Sequence, residues 1–224
     1  MVNVALGLCL LIVALLVVWR ATPWLVRGGH RYPDEAALPT RRFRWVLPTS
    51  TGAVLVIGVG GGQRPAHAAV CTAFAVFLIL VCAIDVDVRR LPDRWTYPAM
   101  LGAPLATGLL ALVDRDGAAW LRSLLAGLAL AVVYLVLVLI GGASGLGLGD
   151  AKLAPSIGVI LGYLSWAHVV VATLFAILIG GIVAGVLLVS RRGRSSFFAF
   201  GPAMSAGAMI VMVGPGVAVL ARGW

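Results

Sequence analysis

Six stretches of this chain are apolar for long enough to cross a lipid bilayer: Val2–Trp19, Ala66–Ile84, Trp95–Val113, Trp120–Ile140, Ala167–Ser190 and Ala203–Ala221. A spanning helix needs about 20 such residues and manages with about 17. Two shorter runs, Val46–Gly60 and Ala154–Leu164, are marginal alone. Hydrophobic residues make up 62% of the 224 and charged residues 11%, against roughly half and a quarter in a soluble domain. No water-soluble fold of this length buries so much apolar surface, so lipid is the solvent. The 28 glycines agree, because small residues let membrane helices approach closely.

Charge decides how the marginal runs are counted. With eight spans and both termini outside, 13 of the 17 basic residues fall in inside loops, leaving Arg64, Arg115, Arg122 and Arg222 outside. That is a positive-inside bias; dropping one short span would divide the basic loops between the two faces. The expected fold is therefore an all-α integral membrane protein, a polytopic bundle of about eight helices. Residues 1–65 supply N-terminal helices with a short basic cytoplasmic loop, and residues 66–224 a six-helix core. The N-terminus has no basic n-region before its apolar run, and Arg20 follows it, so a retained first helix is expected rather than a signal peptide. The net charge of +9 is spread over short loops, which assigns it to topology and lipid and excludes nucleic acid. Cys9, Cys71 and Cys82 each lie inside an apolar run and make no CxxC pair, so they read as small core residues. His30, His67 and His168 are scattered and receive no role. Gly158–Gly162 and Gly181–Gly185 are GxxxG patterns that predict close helix contacts.

The eight acids separate into two groups. Asp34 and Glu35 in the long loop, and Asp114 and Asp116 in an outside turn, read as solvated. Asp85, Asp87, Asp93 and Asp150 stand at the inside edge of apolar helices, where an ionisable group is costly and points to function. Asp85 closes the third run, and Asp150 follows the glycine-rich Gly145-Leu146-Gly147-Leu148-Gly149. Bland readings stand beside that one: Asp85 four residues before Arg89 makes a helix ion pair, and Asp150 caps the helix it opens. Asp85 and Asp87, two apart, point to different sides of a helix. Asp93 reads as fixing the turn after Pro92, while Arg89, Arg90 and Lys152 read as topology determinants or lipid contacts.

Two strings distinguish these readings. Asp85, five residues, then Leu91-Pro92-Asp93 with Thr96 and Pro98 following, and Gly147-Leu148-Gly149-Asp150-Ala151-Lys152-Leu153, resemble the signatures of the type IV prepilin peptidase family. Phe200-Gly201-Pro202 is a weaker likeness. The resemblance implies a membrane aspartic endopeptidase that removes the leader from pilin-like precursors at the cytoplasmic boundary of the inner membrane. Asp85 and Asp150 would be catalytic, with support from Gly147, Gly149, Lys152, Pro92 and Asp93. One carboxylate would activate water while its protonated partner polarises the scissile carbonyl. No metal is expected, and no cofactor is needed for the cleavage. Bifunctional members carry two CxxC pairs in the first cytoplasmic loop and also methylate the product. The loop Arg20–Arg44 has no cysteine, so neither zinc nor S-adenosylmethionine is expected. The rival class is a small transporter, which would favour midplane acids and inverted repeats; a non-catalytic pilus-assembly subunit is the third.

Overall fold

Lipid offers no hydrogen-bond partner to a peptide group, so an apolar run must satisfy its backbone internally, as a helix. The structure is a computed structural model that describes residues 2–32, 35, 43–60, 64–88, 91–141, 147–189 and 200–221. Among them there are eight helices and no strand: α1 Val2–Val26, α2 Val46–Gly60, α3 Pro65–Val88, α4 Asp93–Asp114, α5 Gly117–Gly141, α6 Leu148–Leu164, α7 Trp166–Val189 and α8 Gly201–Ala221. Four of the described helices, Pro65–Val88, Asp93–Asp114, Gly117–Ile140 and Trp166–Val186, are long and apolar enough to cross a membrane. The eight expected segments are all present. Their polar ends run further than hydropathy alone predicts: α1 continues past Arg20 to Val26, and α3 past Asp85 to Val88.

The chain forms two compact units, Met1–Val88 with Met212–Trp224, and Arg89–Val211. In the first, α1, α2 and α3 pack on one another. In the second, α5 and α6 make the broadest contact, with α4 and α7 packed against them. The α5–α6 approach depends on missing side chains. A Cβ at Gly158 would stand 2.6 Å from the Ala126 carbonyl oxygen, and Gly162 is closed off by Ala126 and Ser123. The first GxxxG pattern is thus a helix contact. For the second, a Cβ at Gly181 or Gly185 meets nothing among the described residues. Along α4, Leu101, Leu105, Leu109 and Leu112 recur every three or four residues and are largely exposed. Such an apolar stripe suits lipid.

The acids of the turn between α4 and α5 are exposed, as expected, and each also accepts a hydrogen bond. Asp114 accepts a 2.8 Å hydrogen bond from the Tyr163 hydroxyl, and Asp116 accepts one from the Ala119 N–H, 2.8 Å away. Arg122 donates to the carbonyls of Gly162 and Tyr163, closing the C-terminal end of α6, where carbonyls lack helical partners. Ser165, between α6 and α7, caps α7 by accepting the His168 N–H.

Candidate active site

Asp85 lies inside the last turn of α3 rather than at its end, 3% exposed. Its Oδ2 has no hydrogen-bond partner among the described residues. A buried carboxylate oxygen without a partner is costly and rarely retained without a use. Arg89, the cation proposed to pair with it, lies outside the described residues, as do Arg90, Asp34, Arg41 and Arg42.

Asp87, two residues on, is held in the opposite way. Arg31 forks onto it, Nε to Oδ2 at 2.8 Å and Nη2 to Oδ1 at 2.9 Å, and His30 Nε2 stands 2.8 Å from Oδ2. Both charged side chains are nearly buried. The hydrogen bond to Asp87 holds the Arg31 guanidinium above its ordinary pKa. His30 is fully buried, with Trp24 and Phe43 edge-on to it at 5.9 and 6.1 Å. So His30, given no role from sequence, is part of a cluster. Its signal was the adjacent Arg31, but the acid it meets is 57 positions away.

The chain reaches Asp87 through a glycine turn. Gly28 has φ +73°, and its N–H donates to Leu25 while that of Gly29 donates to Trp24. This paired reversal satisfies the last carbonyls of α1 and requires a left-handed residue, which glycine supplies without strain. Glu35 is also buried, not solvated, and accepts the Tyr32 N–H at 2.9 Å.

In the second unit the Leu91-Pro92-Asp93 string meets the Gly147–Lys152 string directly. Pro92 is the N-cap of α4 and Asp93 its first residue. A Cβ on Gly149 would lie 2.8 Å from Leu91 Cβ, so only glycine lets α6 seat here. Lys152 Nζ bonds Asp93 Oδ1 at 2.6 Å and sits 5.0 Å from the Tyr97 ring centre, within cation–π range. Asp93 and Lys152 therefore hold each other, a contact beside the turn-fixing and topology roles read from sequence. Asp150 is 4% exposed, in the first turn of α6. Gly147 is the N-cap, so Asp150 is not the capping residue. The free N–H groups and dipole of that first turn favour a negative charge. Asp85 belongs to the first unit, and the residues from Leu91 to Asp150 named here to the second. Among the described residues no three His, Cys, Asp or Glu side chains are grouped to hold a metal ion.

The sequence pattern of the type IV leader peptidase family matches residues 72–185, which hold Asp85, Pro92, Asp93, Gly147, Gly149, Asp150 and Lys152. The chain belongs to that family. It is similar to a prepilin leader peptidase/N-methyltransferase of Neisseria gonorrhoeae, 32% identical over 145 residues, 60% of this chain and 45% of that protein. Proteins of the same name from Aeromonas salmonicida and Aeromonas hydrophila are 30% and 29% identical, covering 64% and 46% of their lengths. The chain thus spans about half to two thirds of the relatives it matches. No solved structure matches it. Within the type IV leader peptidase family pattern lie both docked strings and the last turn of α3, while His30 and Arg31 lie before it. Phe200, from the weaker third likeness, precedes α8 and packs on Gly180 and near the Tyr134 ring.

Proposed function

We propose that this member of the type IV leader peptidase family is a membrane aspartic endopeptidase, with Asp85 and Asp150 as its two carboxylates. The observation that carries this is the contrast inside one helical turn. Asp87 has its charge answered by Arg31 and His30, while Asp85, also buried, keeps an oxygen without a partner among the described residues. A carboxylate that must bind water or a peptide cannot also be saturated by cations. In the reaction, the ionised carboxylate takes a proton from water, which attacks the scissile carbonyl. The protonated carboxyl donates to the carbonyl oxygen, and the pair titrates as a unit.

The substrate is a pilin-like precursor whose basic leader precedes a hydrophobic helix, cut at the cytoplasmic edge of the inner membrane. The positive-inside count supports that orientation, with both termini outside and Arg20–Arg44 inside. Gly147, Gly149, Pro92, Asp93 and Lys152 act as supports for the site rather than as reacting groups. Because Arg20–Arg44 has no cysteine, we assign cleavage without methylation, and no cofactor.

Asp85→Ala and Asp150→Ala are each expected to abolish leader removal from a co-expressed precursor, read as a mobility shift. A folded variant that still processes the precursor fully would end the assignment. Mass analysis of the mature product tests the second claim: its new N-terminus should carry no methyl group.

A further inference from the structure

The cluster around Asp87 has no part in the bond cleavage just proposed, yet it is built to a tighter specification than an ion pair for stability needs. Asp85 and Asp87 sit in one continuous helix, where two residues correspond to a rotation of about 200°. Whatever grips Asp87 on one side of α3 therefore sets the direction in which Asp85 leaves the other. The grip is rigid. A guanidinium fork fixes the plane of the carboxylate as well as its charge, and both of its bonds are 2.9 Å or shorter. His30, wedged by Trp24 and Phe43, adds a third contact on Oδ2. The Gly28–Gly29 reversal brings His30 and Arg31 to that place, and Gly29 has the Trp24 ring against it.

Buried ion pairs are a poor source of net stability, because desolvation offsets most of their attraction, and apolar packing could replace them. What they do enforce is geometry. We propose that Arg31 and His30 are positioning residues for Asp85: by clasping Asp87 they lock the rotation of the last turn of α3. The clasp also answers the Asp87 charge, which would otherwise stand beside that of Asp85. The proposal rests on the reading of Asp85 as catalytic, and its test is chosen so that the two can fail separately.

The full chain, purified in detergent, is assayed with a synthetic precursor carrying a basic leader. In parallel, Asp85 is labelled with a water-soluble carbodiimide and an amine and quantified by mass spectrometry. Asp87→Asn keeps the shape and removes the charge. It should lower kcat about 10- to 100-fold, the scale of a small misplacement of a reacting group, with KM within about twofold. Labelling of Asp85 should rise several-fold as its turn loosens. Arg31→Lys, which keeps the charge and loses the fork, should shift both readouts in the same direction by less.

Wild-type kcat in folded Asp87→Asn overturns the proposal. So does a fall in kcat with Asp85 labelling unchanged. If Asp87→Asn does not accumulate as folded protein, Arg31→Lys decides. Its failure to fold would make the clasp a stability element and end the positioning role. Cleavage by Asp85→Ala would remove the catalytic reading, while the labelling of Asp85 would still report whether the clasp orients it.

Discussion

The last turn of α3 and the first turn of α6 each carry a buried aspartate, and their neighbourhoods are built by different means. Around α3 the work is electrostatic: a loop from far upstream supplies Arg31 and His30 to the adjacent Asp87, almost out of water. Around α6 it is steric. Gly149 lies against Leu91, and the nearby ion pair, Asp93–Lys152, is open to solvent, its side chains 55% and 31% exposed. The two pairs have similar bond lengths and unequal weight. Breaking a buried pair strands a charge, whereas water readily replaces an exposed partner. Distance alone does not reveal which pair matters.

That comparison can be broken or sharpened by substitution. The largest effect is expected from Asp87→Ala, which leaves Arg31 and His30 facing each other without their anion. It should destabilise the protein by about 3–5 kcal/mol, seen as a large fall in the melting temperature in detergent. A change no greater than that of an exposed pair would erase the distinction. Next comes Gly158→Ala, whose methyl would meet the Ala126 backbone at 2.6 Å. About 1–3 kcal/mol is expected, because a helix must shift to make room. Gly149→Ala should follow closely, since the Leu91 Cβ it would meet at 2.8 Å is fixed to the backbone and cannot turn away, and cleavage should fall as α6 is displaced from α4. Lys152→Ala belongs lower, at about 0–1 kcal/mol, with the difference fading as salt is raised. Gly181→Ala is the smallest: with no described residue close to it, the melting temperature should hold or rise slightly from helix propensity. A drop comparable to that of Gly158→Ala would mean that Gly181 has a partner.

The same substitutions mark how far the sequence could be read. Eight apolar helices were legible because lipid allows an apolar run few alternatives, and the extent of each run follows from hydropathy. The helix ends were less so. Asp85 and Asp87 belong to α3 because the helix continues past its apolar part. The order and spacing of the two strings were legible, but the Asp93–Lys152 bond was not, since 59 residues separate its members and each had a sufficient local reading. His30 was passed over for the same reason. Gly181–Gly185 shows the reverse: a pattern shared with Gly158–Gly162 meets no facing backbone among the described residues.

For Asp85 and Asp87, sequence determined that two acids would stand at the end of an apolar run, two residues apart and on different sides of one helix. That follows from hydropathy and helical geometry, which act locally along the chain. Only the tertiary structure decided which acid would be clasped and which keeps an oxygen without a partner among the described residues. Arg31 and His30 are brought to Asp87 by the packing of α1 against α3, and a charge pair between distant residues depends on that packing.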